Sequence, residues 1–366
     1  MESGAPAVRR RGSARVLGVP KVPPAVWVGV LCLALVALVS ALIRHERGLS
    51  GDEPFYERMA SHPGGPHNFP YAYRLGIPWL VHILPFSHVV AFTALAWLAI
   101  AAAAGALYVL LTQFEVEPRL AAALCVGFAL SPTLLVVLVR NGRSIDPASI
   151  LVLVLGCLFI VRRQRTALAL TMLLGVAVRE STLFLIPLAY AVWGRRPLDR
   201  QALRDTVLTG VAPVAVYLVI RTQVDAVGRR YEPGYTGPFL DARFDLIGQA
   251  LKSWTIELRR LAYTFGPLWL VAPFALRDLS FARRGLVLVA LCVASMTYAY
   301  DWGRIIFLAA PVFYVAAGHV LRPRPRLALA VVLALLAVDI GYGVYLQAYG
   351  VQHGLDNSVG RGIPVY

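Results

Sequence analysis

Charge is what this sequence has least of. Only 15% of its 366 residues are Asp, Glu, Lys or Arg, against 58% apolar, and the mean hydropathy is +0.66. A soluble chain of this length could not cover its surface with so few charges, so lipid is its expected solvent. Lysine is almost missing: Lys21 and Lys252 stand among 35 basic residues, an arginine bias typical of a GC-rich bacterial genome. Cysteine is scarce too. Cys32, Cys125, Cys157 and Cys292 all fall inside apolar runs, at no metal-ligand spacing, which excludes a disulfide framework and reads as small packing residues. The chain has no P-loop, dinucleotide fingerprint, nucleophile elbow or zinc-protease motif, so soluble nucleotide chemistry is excluded. It also has no ten-residue barrel alternation.

What is there is a succession of apolar runs able to cross a hydrocarbon layer of about 30 Å. Without barrel strands, helices are the elements whose backbone satisfies itself in lipid. The expected fold class is therefore all-α: a polytopic helical membrane protein of about eleven spans. They lie near 25–44, 86–112, 119–138, 147–162, 166–178, 181–194, 206–221, 260–276, 285–299, 305–320 and 327–348. The fifth and sixth are short, as half-helices or a tilted hairpin would be. The first is too long for a cleaved signal peptide, and no small-residue cleavage site follows it. The expected organisation is a basic tail (1–24), one transmembrane domain (25–348) with outer loops at 45–85 and 222–259, and an outer tail (349–366).

Arginine sets the orientation. The tail carries Arg9, Arg10, Arg11, Arg15 and Lys21, and five short loops on the same side carry 14 more, in the groups 119, 162–165, 195–204, 277–284 and 322–326. The short loops opposite hold Arg140, Arg143, Arg179 and Arg304. The positive-inside rule then places the N-terminus in the cytoplasm. This asymmetry explains most of the net charge of +15, and nucleic acid is not an expected partner. Acids show the reverse bias: of 20, thirteen lie outside, six inside, and Asp339 within the last span, where a polar contact with Tyr342 or Tyr345 is expected. The outer face is where a site is to be sought.

There, the first span ends in RGLSGDEPFYER (47–58), with adjacent acids at Asp52 and Glu53. Phe55 and Tyr56 suit the headgroup level. Beyond a Gly/Pro turn, YAYRLGIPWLVHILPF (71–86) sets Leu75, Trp79, Leu80 and Ile83 on one face of an interfacial helix with Arg74 at its start. Three compact outer turns add Arg140, Arg143 and Asp146 (RNGRSIDP), Arg179 and Glu180 (VREST), and Asp301 and Arg304 (YAYDWGRIIF). Singly, each reads as a structural ion pair or a helix end. Together, on one side of one bundle, they suggest a shared polar cavity, because ionisable residues at membrane depth usually face an interior. The 222–259 loop reads as a connector or lid, with a second interfacial helix near 243–258. His82, His88 and His319 read as interfacial or packing residues. His62 and His67, with Asp52 and Glu53, would make a hard metal site, but two histidines on a Pro/Gly loop seldom do. No metal site is assigned, although a divalent metal is compatible with the chemistry below.

An acid beside arginines at a membrane surface suits sugar transfer from a lipid-linked donor. A carboxylate takes the acceptor's proton, and cations hold the departing phosphate. The motif GDEPFYERMA (51–60) at the outer end of the first span resembles the C-class (GT-C) multi-span glycosyltransferases. That resemblance implies a polyprenyl-phosphate-sugar donor, interfacial helices and a catalytic acid in the first outer loop. Asp52 would be that acid, with Glu53 its neighbour. Tyr56, Arg74, Arg140, Arg143, Asp146, Arg179, Glu180, Asp301 and Arg304 would bind substrate. The acceptor would be an envelope glycan, lipid or protein, the membrane a bacterial plasma membrane. PYAYRLGIPWL (70–80), VRESTLFLIP (178–187) and DWGRIIFLAAP (301–311) are also similar to segments of small bacterial multi-span proteins without assigned chemistry. The sequence departs from larger members of the class: no Asp-X-Asp motif lies in its outer loops, and no soluble domain follows its last span. A transporter or flippase of a lipid-linked or anionic substrate, and a surface-polysaccharide polymerase, are the alternatives. The first would want charge near mid-bilayer, and the second would use the arginines without Asp52.

Overall fold

The computed structural model describes residues 22–42, 52–68, 71–139, 142–196, 198–224, 226–227, 254–298 and 302–353. They form an all-helical assembly. In chain order the helices are α1 (Pro24–Leu42), α2 (Glu53–Ser61), α3 (Gly76–Ile83), α4 (His88–Gln113), α5 (Pro118–Ala129), α6 (Pro132–Val139), α7 (Asp146–Val161) and α8 (Arg165–Val178). There follow α9 (Leu185–Trp193), α10 (Arg200–Gln223), α11 (Trp254–Phe265), α12 (Leu268–Val271), α13 (Ser280–Ser295), α14 (Trp302–Ile306), α15 (Ala310–Leu321) and α16 (Pro325–His353). Proline starts α1, α5, α6 and α16, where its missing N–H would have had no helical partner and its fixed φ already suits the helix.

Five segments are long and apolar enough to cross a membrane: α1, α4, α10, Trp302–Leu321 and Pro325–Val344. Their surfaces show why lipid is needed. Large apolar side chains point outward, among them Trp27, Leu38, Leu208 and Leu329, each more than half exposed. A surface of that kind is not stable in water. The interior is held by close backbone approach and by aromatic packing. A Cβ at Gly29 would stand 3.1 Å from the Ala101 carbonyl, and one at Gly105 would stand 3.0 Å from that of Ala25. Small residues on both helices therefore let α1 lie directly on α4. Phe265 stacks on Phe313 at 4.2 Å, and Tyr314 meets Phe128 edge-on at 5.5 Å.

Several expected spans are broken, each for a local reason. The run near 119–138 divides at Leu130–Ser131 because Pro132 starts a new helix. The run near 260–276 breaks at Gly266, whose φ of +47° is strained for any residue with a side chain. That near 305–320 is built from α14, a 3₁₀ turn (Phe307–Ala309) and α15, since Pro311 cannot continue the ladder from α14. The span expected from 206 instead starts at Arg200, because the Asp199 side chain accepts the N–H groups of Gln201 and Ala202 at 3.0 and 3.1 Å. Between α2 and α4, Tyr71–Tyr73 form a 3₁₀ turn and α3 begins after Arg74, which joins the two. Trp79, Leu80 and Ile83 point outward as expected, while Leu75 is half-buried. Residues His67–Asn68 pair in parallel with Ala226–Val227, tying this loop to the one after α10. Most of 243–258 lies outside the described residues. Asp339 is buried, and neither of its oxygens has a hydrogen-bond partner among the described residues; Tyr342 packs on Tyr263 instead, ring centroids 5.2 Å apart.

Helix length positions the site. At 1.5 Å per residue the 26 residues of α4 extend about 39 Å, whereas the 16 of α7 and 14 of α8 extend about 24 and 21 Å. Arg162 and Arg165 mark the basic end of α7 and α8, so their opposite ends, at Asp146 and Val178, stop short. The polar residues that follow those ends are recessed into an apolar bundle.

Candidate functional site

The recess is filled by charge. Asp52 immediately precedes α2, where the positive helix end suits an acid and Pro54 falls at a position that needs no N–H. Its carboxylate does not cap the helix. It turns inward, and Oδ1 accepts the Tyr71 hydroxyl at 2.9 Å while Oδ2 accepts Arg304 Nη2 at 2.8 Å. Asp146, on the first turn of α7, accepts from the same Arg304 at Oδ2, with Nε at 2.7 Å, and from Arg179 Nη1 at Oδ1, 2.6 Å away. One guanidinium thus bridges two carboxylates.

A second arm adjoins the first. Arg74 grips Glu180 with Nη2 at 2.7 Å from Oε1 and Nε at 3.2 Å from Oε2, while its Nη1 donates to the Tyr56 hydroxyl at 3.2 Å. Tyr71 roofs both arms: it stacks on Phe55 at 4.4 Å, meets Tyr56 edge-on at 5.6 Å, and lies 5.6 Å from the Arg74 guanidinium. Burial raises the Tyr71 phenol well above its usual range, and the Asp52 charge adds to the shift. Tyr71 is therefore the donor in this pair and Asp52 the acceptor.

Among the described residues, three acids (Asp52, Asp146, Glu180) face three arginines (Arg74, Arg179, Arg304), so their charges balance. Asp146, Arg74 and Arg179 are buried; Glu180, with 39% of its side chain exposed, marks the open side together with Asp52 and Arg304. Removing charges from water costs several kcal/mol per ion, which only this degree of mutual pairing offsets.

A separate chain fixes α2 in place. Glu53 Oε1 accepts the backbone N–H of Arg143 at 3.1 Å. Arg143 Nε lies 2.6 Å from Glu57 Oε2, an ion pair without hydrogen-bond geometry. The other Glu57 oxygen meets His88 Nδ1 at 2.9 Å. Arg143 and Glu53 thus belong to the wall of the site, not to its open centre.

Of the residues singled out from sequence, Asp52, Tyr56, Arg74, Asp146, Arg179, Glu180 and Arg304 come together, and Glu53 and Arg143 stand beside them. Arg140 and Asp301 lie outside the described residues. Sequence reasoning missed Tyr71, Glu57 and His88; His88 read as a packing residue but is a polar partner. Tyr71 had a signal, its three-residue spacing from Arg74. Among the described residues no three His, Cys, Asp or Glu side chains stand together as a metal site would require. No model of a known protein family matches this chain, and no curated protein is similar to it.

Proposed function

We propose that this chain is a membrane glycosyltransferase that moves a sugar from a polyprenyl-phosphate donor to an envelope acceptor. In this reading it crosses a bacterial plasma membrane about eleven times, with the arginine-rich ends in the cytoplasm and the recess on the outer face. The single observation that carries it is the Asp52–Arg304–Asp146 bridge: a carboxylate poised against a guanidinium in a partly open recess.

The paired state suggests how the reaction is ordered. Arg304 and Asp52 neutralise each other before substrate arrives. A donor phosphate competes for Arg304, and as the guanidinium turns to it, Asp52 keeps the Tyr71 hydroxyl on Oδ1 and Oδ2 is freed to accept a proton. The acceptor oxygen then attacks the anomeric carbon, and its proton passes to Asp52. The bond from that carbon to the phosphate oxygen breaks, releasing polyprenyl phosphate. Base catalysis of this kind contributes about 10²- to 10⁴-fold. Buried arginines aimed at the leaving phosphate act in a low dielectric, where they are worth most.

The test is transfer of label from a panel of polyprenyl-phosphate sugars to envelope acceptors, in vesicles holding the native chain or Asp52→Asn at equal expression. Label transfer abolished by Asp52→Asn supports the reading. Transfer indifferent to it moves the base elsewhere, and no transfer across the panel rejects the enzyme. One observation favours a second reading, a transporter or flippase: every arginine of the recess is already paired with an acid, as in a closed gate. Flux of a fluorescent lipid-linked sugar across vesicles, without covalent transfer, would favour it.

A further inference from the structure

At the opposite, arginine-rich end of the bundle, a pocket of about 480 Å³ opens between the ends of α8, α9 and α10. Arg163, Arg195, Arg196, Asp199 and Asp205 line it, with Trp193 as its buried wall. The acids are already committed. Asp199 spends Oδ1 on the N–H groups of Gln201 and Ala202 and Oδ2 on that of Arg195, at 3.0 Å. Asp205 pairs with Arg165 at 2.6 Å. Arg163 reaches the Trp193 carbonyl at 3.4 Å, complementing the negative end of α9. The guanidinium groups of Arg195 and Arg196 form no hydrogen bond or ion pair among the described residues. With both carboxylates of the pocket taken up elsewhere, these two guanidinium groups are open to an anion from outside.

Its rim says what kind. Leu198 is 84% exposed beside the pocket, and Leu203, Val207 and Leu208 continue that apolar face along α10. A ligand seated here would have its anionic head between two arginines and an apolar tail on α10. We propose that this pocket binds the phosphate headgroup of an anionic phospholipid from the adjoining leaflet, with Arg195 and Arg196 as the headgroup ligands. Basic pockets between membrane helices suit such lipids. The proposal does not depend on the reaction at the other face.

The whole chain, purified in detergent and stripped of lipid, is to be melted against increasing phosphatidylglycerol, phosphatidylcholine or inorganic phosphate. Phosphatidylglycerol should raise the thermal midpoint saturably, and the other two should not. At about 1 kcal/mol per arginine, Arg195→Ala with Arg196→Ala should weaken the apparent affinity about thirtyfold. Arg283→Ala with Arg326→Ala, exposed arginines elsewhere on the same face, should leave it unchanged. Equal weakening by both pairs would replace the pocket with a diffuse surface field. An equal response to phosphatidylcholine would overturn the role of charge, and an equal response to inorganic phosphate would make this a site for soluble anions. Lipid-free midpoints of the variants check folding, and Arg195→Lys with Arg196→Lys, keeping the charge, should retain most of the affinity.

Discussion

Asp52 and Arg304 are 252 residues apart in sequence and 2.8 Å apart in space, and Asp146 shares the same guanidinium. The three come from helices that are not neighbours in sequence. Their meeting defines the recess more than any single motif does.

Asp146 should be the structural keystone of that trio. Asp146→Asn would take from buried Arg179 its ion-pair acceptor and from Arg304 one of the two carboxylates that hold it. Breaking a buried pair from one side costs about 3–5 kcal/mol. Denaturant unfolding in detergent should show a loss of that size, against less than about 1 kcal/mol for Glu115→Gln, whose pair with Arg322 is exposed.

Tyr71 and Asp52 should separate by readout. Tyr71→Phe keeps the stack on Phe55 and removes one hydrogen bond to a carboxylate, worth about 1.5 kcal/mol. If the proposed reaction is right, transfer should fall about tenfold and the melting midpoint slightly, whereas Asp52→Asn should remove about 10²-fold or more of the transfer. A larger loss from Tyr71→Phe than from Asp52→Asn would assign the base to the phenol.

Gly175 connects packing to the site. A Cβ there would stand 2.5 Å from Val152 Cγ1 and 2.8 Å from both Thr182 Cγ2 and Oγ1, and its carbonyl accepts the Arg179 N–H. Val and Thr are stiff at χ1 and cannot simply swing away. Gly175→Ala gains about 1 kcal/mol of helix propensity but should lose about 1–3 kcal/mol to overpacking, a net destabilisation. It should also shift the Arg179–Glu180 turn and impair transfer. Gly64→Ala, with nothing within 4 Å, serves as the neutral control.

Asp199 gives a pH test far from the recess. The N–H groups of Arg195, Ala202 and Gln201 hold its carboxyl below the usual 3.8. A depressed acid stabilises above its unfolded pKa and loses that contribution as pH falls through the folded value. The melting difference between the native chain and Asp199→Ala should be constant above about pH 5 and should close below pH 3.8.

The helical class, the apolar helices and the clustering of the polar turns were legible because lipid imposes composition directly. The broken spans were not read from the sequence: the runs at 119–138 and 305–320 were expected whole although Pro132 and Pro311 lie within them, and Gly266 marks its break through a positive φ that no pattern displays. Which acid meets which arginine was not legible. Asp146 could have paired with neighbouring Arg143, but Arg143 turns to Glu53 and Glu57 on α2 instead. Pairing across such distances is decided by how α7, α8 and α14 pack, and no local pattern encodes that. His88 shows the same limit: at the start of an apolar helix it reads as a packing residue, until α2 brings Glu57 to it.

The recess also constrains the order in which the chain can be assembled. As helices enter the bilayer from the N-terminus, Asp52 and Arg74 arrive long before their partners. Asp146 and Arg179, 33 residues apart, neutralise each other first, and Glu180 then takes up Arg74. Among the described residues, the cation paired with Asp52 is Arg304, which is inserted last. Assembly therefore ends with a late ionic closure that joins the start of α2 to α14, and a chain stopped before it lacks the Arg304 partner of Asp52.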